Sequence, residues 1–378
     1  MKRLEFSLRP VEGKNFVGRE GTINDLVSEI ININSHAGFC IYGRRRVGKT
    51  SALLEAKALA EKNEKVVVAY LSLYDIPTLS AKSFIEELMD SVVTAYQKKN
   101  LLPFSARMKD IFKAPFNVAI DALKNIKLEL LMEHFKLIFQ YKDNEDISSD
   151  YIREAFNLSE ILAQATKTKC IVILDELPEI LKLDNGTQLI KMLRTRHETQ
   201  KKTSLIISGS IRKTLDAVAL SDVSPFYKQL VPKHLQPFTE TETIEFLKQY
   251  IGKIDLDYAK KIHELTGGLP FYLQFIGRST NYQGTLKSVV DKFIKEEGDL
   301  FFKEEFEKLT EKEKAIAIAL SSGSKSLTII AKRTKEPTTT ISRYLPSMVE
   351  DDVLLKESRG TYGISDPMFK LWLQKFGS

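Results

Sequence analysis

The chain has 378 residues, of which 43% are hydrophobic and 28% charged, with a formal charge of +6. That length exceeds one ordinary compact domain and predicts two or three, while the charge permits a polyanionic partner without requiring one. No window approaches the ~18 uninterrupted apolar residues of a membrane span, and residues 1–5 lack the apolar run of a signal peptide. Cys40 and Cys170 each sit in an apolar run, which predicts two reduced core thiols and a cytoplasmic location. The five histidines have no close Cys or carboxylate partners and form no metal-ligand pattern.

Short apolar runs at 39–42, 66–71, 170–174 and 205–207, with a weaker one at 230–235, alternate with amphipathic stretches at 51–61, 151–166 and 188–199. This is the pattern of an α/β fold with a parallel sheet covered by helices on both faces. Residues 76–150 break the rhythm. Their helix formers and apolar spacing (Phe84, Leu88, Val92; Leu123, Ile126, Leu130), divided by Pro103 and Pro115, predict a helical insertion. From Thr239 no strand pattern appears for some seventy residues, and helices starting near Thr241, Asp255 and Pro270 predict a small helical unit.

Two motifs carry chemistry. Residues Gly43, Arg44, Arg45, Arg46, Val47, Gly48, Lys49 and Thr50 read G-x-x-x-x-G-K-T between a strand and a helix. The glycines let the backbone curl so that several N–H groups, extending to Ser51, point at one anion beside a helix N-terminus. Lys49 is expected to reach the β- and γ-phosphates, and Thr50 to ligate Mg²⁺. The second motif is the apolar run 170–174 ending in Asp175 and Glu176, which places two carboxylates at the C-terminal edge of the sheet. Asp175 is expected to hold Mg²⁺ and Glu176 to act as general base, so hydrolysis is expected as well as binding. After the next strand, a small hydroxyl in Ser208-Gly209-Ser210, Ser210 being the candidate, either orients the lytic water or senses the γ-phosphate, or the segment simply forms a turn.

These motifs, together with Phe16-Val17-Gly18-Arg19-Glu20, Gly267-Gly268-Leu269-Pro270 and Ile364-Ser365-Asp366-Pro367 followed by Leu371-Trp372-Leu373, resemble the archaeal ATPase family of the AAA+/STAND group. The resemblance runs from about Phe16 to Phe376. It implies an AAA+-type five-stranded parallel sheet, an all-helical lid and a winged helix. It further implies an adenine site at Phe16, Val17 and Gly18, with Arg19 also at the nucleotide and Pro270 near the base or ribose, and ATP or ADP as the ligand. Family members often carry Gly-Arg after a Pro-aromatic-Tyr segment. Here Pro225-Phe226-Tyr227 precedes Lys228-Gln229, so an arginine finger is absent, moved to Lys228, or supplied by Arg194, Arg196 or Arg212. The expected units are 1–238 with the insertion at about 76–150, 239–308 for the lid, and 309–378 for the winged helix.

In the last unit, helices are expected at 310–320, 326–334 and 338–347, the third ended by Pro346, before a hairpin wing around 357–360. Thr339, Ser342 and Arg343, with Lys332, Arg333 and Arg359, suit phosphate and base contacts on double-stranded DNA. Eleven Lys/Arg against eight Asp/Glu in 309–378 is a weak excess, and winged helices also dock proteins. Trp372 reads as packing rather than base stacking. The leading expectation is an ATP-driven conformational switch. A DNA-binding initiator of the origin-recognition type, and a signalling scaffold that recognises protein clients or forms nucleotide-dependent homo-oligomers, are the alternatives.

Overall fold

The computed structural model describes residues 7, 9–102, 135, 136, 138, 148–209, 215–280 and 285–377. Strands β1 (Gly38–Tyr42), β2 (Val66–Ser72), β3 (Lys169–Asp175), β4 (Thr203–Gly209) and β5 (Leu230–His234) form a parallel sheet in the order β2-β3-β4-β1-β5. Every residue of β3 and β4 is buried, which is why both read as continuous apolar runs rather than alternating ones. At the edge, β5 buries mainly Leu230 and tolerates Pro232, whose missing N–H would interrupt a ladder in the interior.

Alternate strand residues face opposite layers. Phe39, Ile41, Ile171 and Ile173 pack under α1 (Glu20–Ile30) and α2 (Lys49–Ala60). Cys40, Cys170, Val172 and Leu174 pack under α3 (Ala81–Lys98), α4 (Ser149–Thr166) and α5 (Gly186–Thr199). Within the expected insertion α3 is helical, while Pro103, Pro115, Leu123, Ile126 and Leu130 lie outside the described residues.

The chain then becomes helical, as the missing strand pattern foretold: α6 (Glu240–Ile251), α7 (Leu256–Thr266), α8 (Pro270–Thr280), α9 (Leu286–Phe293) and α10 (Asp299–Glu307). Thr239 opens α6 with a capping box, its hydroxyl accepting from Glu242 N (3.2 Å) while the Glu242 carboxylate accepts from Thr239 N (2.7 Å). The last segment comprises α11 (Glu311–Ser321), β6 (Lys325–Ser326), α12 (Leu327–Thr334), α13 (Thr338–Glu350), β7 (Leu354–Ser358), β8 (Thr361–Ile364) and α14 (Pro367–Phe376). Its strands are antiparallel in the order β6-β8-β7, the helix and hairpin order of a winged helix.

Pro346 does not end α13 as expected; the helix runs through it to Glu350. Leu345 and Met348, on either side of the proline, are both about 1% exposed, so packing holds the helical course that the lost N–H would release. Trp372 serves packing, as expected. It is 3% exposed, lies beside Phe369, and donates from Nε1 to Asp299 Oδ1 (2.8 Å), fastening α14 to α10. One apolar cluster therefore runs from the α1–α2 face of the sheet through α6–α10 to α14. Among the described residues no helix is long and apolar enough to cross a membrane.

Candidate functional site

The turn between β1 and α2 is shaped by backbone constraints. A Cβ on Gly43 would lie 2.4 Å from Leu235 O, because Leu235 N donates to Tyr42 O and draws the end of β5 against the turn. Gly48 has φ +88°, and Arg46 is held in the left-handed region at φ +66°. Val47, fully buried, anchors the middle of the loop. Helix α2 starts with Ala52 N donating to Gly48 O, so the N–H groups just before it have no partner within the helix. Gly48, Lys49, Thr50 and Ser51 line a cavity of about 330 Å³, and the polarity of a helix N-terminus suits an anion there. Lys49 is 6% exposed, and its amine donates to Gly43 O and Arg44 O, each at 3.1 Å. Burial lowers the Lys49 pKa, opposed by the charges of Glu176 and Asp175.

The carboxylates stand where the parallel strands end. Asp175 is 2% exposed and accepts three hydroxyls: Thr50 (2.8 Å) and Tyr70 (2.9 Å) on Oδ2, and Ser208 on Oδ1. Ser208 also accepts from Glu176 N (3.2 Å). Glu176 has φ +54°, an uncommon conformation for a residue with a Cβ, and its side chain lines the cavity with Lys49 and Thr50. Sequence reasoning singled out neither Tyr70 nor Ser208 as site residues. The signal for Tyr70 is a hydroxyl in an otherwise apolar strand two residues before Ser72, which pairs in register with Asp175. Burial first, then the Asp175 charge, raises the Tyr70 pKa and keeps it a donor. Ser210, the hydroxyl singled out in the sequence, lies outside the described residues, as does Arg212.

Phe16, Val17, Arg19 and Pro270 meet around a narrow cavity of about 40 Å³ beside Gly48 and Ser51. The Arg19 guanidinium donates to Val47 O (2.6 Å) and Gln236 O (2.5 Å) and stacks over Phe238; burial lowers its pKa to about 10. Gly18, grouped with them in the sequence, packs instead against the Phe238 ring, 3.1 Å from where a Cβ would be.

The loop arginines, read from sequence as phosphate-site residues, direct their side chains to α10 and the C-terminal segment. Arg44 donates to Ser365 O, and its Nε lies 3.3 Å from Asp352. Arg46 pairs with Asp366 (2.8 Å) and Glu305 (3.0 Å), and Arg45 pairs with Glu305 (3.1 Å). Asp366 also accepts from the Tyr272 hydroxyl and caps α14 through Met368 N (2.9 Å) and Phe369 N (3.2 Å). The physical reason is proximity: acidic groups on α10, the α13–β7 turn and the start of α14 face the outer side of the loop. Only its backbone, Lys49 and part of Arg45 and Arg46 remain to the cavity.

On the C-terminal module Lys332, Thr339, Ser342, Arg343 and Arg359 are exposed. Arg333, grouped with them in the sequence, donates instead to Ala319 O (3.0 Å) and Ser322 Oγ (2.6 Å) and ties α12 to α11. Arg194 pairs with Glu198 within α5.

Residues 16–276 match the model of an ATPase domain found predominantly in Archaea. Across 98% of this chain and 99% of its own, a Walker-type ATPase of Pyrococcus abyssi superposes with a TM-score of 0.72 at 20% identity. The ORC2 protein of Aeropyrum pernix, solved as ADPNP–ADP complexes, superposes with a TM-score of 0.60 at 13% identity, over 96% of this chain and 95% of its own. An uncharacterized protein of Methanocaldococcus jannaschii is 26% identical over 62% of this chain, and the match spans 54% of that relative's length.

Proposed function

Because the chain belongs to the family of ATPase domains found predominantly in Archaea, we propose that it binds and hydrolyses ATP with Mg²⁺ and passes its nucleotide state to the C-terminal winged helix. Units at 1–238, 239–308 and 309–378 serve as ATPase core, lid and winged helix. The N–H groups of 48–51 and the Lys49 ammonium hold the phosphates, Lys49 exchanging two carbonyls for phosphate oxygens, and Phe16, Val17, Arg19 and Pro270 flank the base. Among the described residues no three acidic, His or Cys side chains cluster as a self-contained metal cage. Thr50 and Asp175, hard oxygen donors 2.8 Å apart, suit Mg²⁺, which keeps few protein ligands beside substrate phosphates. Bound there, Mg²⁺ would neutralise charge developing on the phosphates. Glu176 takes the proton of the attacking water, and Tyr70 and Ser208 fix the orientation of Asp175. Ser210 is proposed to sense the γ-phosphate.

The observation that carries the switch is the set of ion pairs from Arg44, Arg45 and Arg46 to Asp352, Glu305 and Asp366. The loop that receives phosphate thus grips the winged helix through Arg44 and Arg46 and the last lid helix through Glu305. A change of charge at the phosphates biases which anion the guanidiniums face.

A double-stranded DNA partner is supported by the exposed Lys332, Thr339, Ser342, Arg343 and Arg359, all clear of the docked face. The test is steady-state hydrolysis by the wild type and Glu176→Gln, with and without duplex DNA across a salt series. Turnover that DNA stimulates, that salt suppresses and that the variant lacks supports the DNA-coupled switch. Turnover indifferent to DNA turns the reading toward a protein client, and turnover intact in the variant refutes the role of Glu176.

A further inference from the structure

Among the described residues before Phe16 the one helical element is a short 3-10 turn at Gly13–Asn15, yet they are fastened at several points. Ser7 N donates to Gln274 Oε1 (3.0 Å) on α8. Val11 N donates to Ser51 Oγ (3.2 Å), and Gly13 N to Glu55 Oε2, one turn further along α2. Gln274 is 6% exposed, and its Nε2 donates to the Tyr250 hydroxyl (3.1 Å), which donates to Asn15 O. A strap is thus pinned to the phosphate-loop helix at one end and to the lid at the other.

Between the pins stand Arg9 and Pro10, and both line the large cavity with Lys49, Thr50, Ser51 and Glu176. The cavity's other cations are engaged. Arg45 and Arg46 pair with Glu305, Arg46 also with Asp366, and Lys49 donates to two carbonyls. The Arg9 guanidinium makes no hydrogen bond or ion pair among the described residues, although it fronts a site lined by backbone N–H groups. Pro10 biases Arg9 toward an extended backbone and stiffens the strap, which lowers the entropy lost when the guanidinium closes on an anion.

The geometry points to Arg9 as a phosphate contact supplied in cis by this strap, one that favours nucleoside di- and triphosphates over the nucleoside. This rests on the nucleotide-site reading above and adds a wall and a cation to it that the sequence motifs do not contain. Ser51, which pins the strap, follows Thr50 directly, so the strap is held at the first turn of the phosphate-loop helix.

The test is calorimetric titration of the full chain with ADP, and competition with adenosine, for the wild type, Arg9→Gln and Arg9→Lys. A charge-assisted hydrogen bond at a partly open site predicts about a tenfold loss of ADP affinity in Arg9→Gln. Adenosine affinity stays unchanged, Arg9→Lys recovers part of the loss, and the wild-type advantage shrinks as salt rises. Melting temperatures without nucleotide confirm that the variants fold. Unchanged ADP affinity in Arg9→Gln overturns the proposal and leaves the nucleotide site standing. Equal losses for ADP and adenosine overturn it too, reducing the strap to a wall for the base. A wild type that binds no ADP overturns both this proposal and the reading beneath it.

Discussion

Replacing Asp366 by Asn separates charge from shape in the contact between the phosphate loop and the winged helix. Asparagine keeps an oxygen to cap α14 through Met368 N and Phe369 N, so the helix start should survive. It removes the negative partner of Arg46, which retains Glu305 and is not stranded as a bare buried charge. The Arg46 and Asp366 side chains are each 14% exposed, so solvent screens their attraction far less than on an open surface. A hydrogen bond to a charged group then contributes about 1.5 kcal/mol, near the lower end of the usual span. At about 1.4 kcal/mol per factor of ten, the undocked population should rise about tenfold. Amide hydrogen exchange reads this directly. Protection should fall in the first turn of α14 and in the α13–β7 turn that carries Asp352, while β3 and β4 keep theirs. Unchanged exchange at these segments would refute the reasoning, as would equal acceleration throughout the sheet.

Three further outcomes are expected. Glu176→Gln should lower phosphate release about 10²–10⁴-fold while ATP affinity in a titration stays within a few-fold, since it removes the base and leaves the phosphate cradle. Ser208→Ala should destabilise the fold by about 1–3 kcal/mol in denaturant melts, because it leaves Glu176 N and one Asp175 oxygen without their fully buried partner; turnover should fall with it. Burial, with a smaller contribution from the His36 charge, holds the His197 pKa below its ordinary value of 6.5. As pH drops through that value the unfolded chain takes up the proton first, so stability present above about 6.5 is lost on acidification. Melts from pH 7.5 to 5.5 should show this slope, and His197→Gln should flatten it.

The sheet was legible because β3 and β4 are buried on both faces, leaving unbroken apolar runs at 170–174 and 205–207 to read. Lys169, at the head of β3, shows what composition conceals: it is 1% exposed, its amine donating to Asn32 O (2.9 Å) and Ser35 O (2.7 Å). The carboxylate pair and the G-x-x-x-x-G-K-T loop were legible because backbone curvature and phosphate charge constrain adjacent residues. The hydroxyls of Tyr70 and Ser208 were not, since they reach Asp175 across neighbouring strands, 105 and 33 residues away in sequence. The ion pairs of the loop arginines were not legible for a similar reason. A sequence shows their charge but not its direction, and Asp366 lies 320 residues from Arg46. Pro346 misled because its local cost is outweighed by two buried neighbours that single-residue propensity ignores.

The most direct test of nucleotide-controlled docking is a distance between the core and the wing. Spin labels at Lys201→Cys and Lys356→Cys fall on exposed sites. The native Cys40 and Cys170 are buried, with thiols pushed up to about 12, and leave the label to the introduced pair. Pulsed dipolar spectroscopy should give one narrow distance with ADP and a second population with a non-hydrolysable ATP analogue, and Asp366→Asn should raise that population even with ADP. A single distance distribution, identical in every nucleotide state and in the variant, would contradict coupling through the arginine bridge.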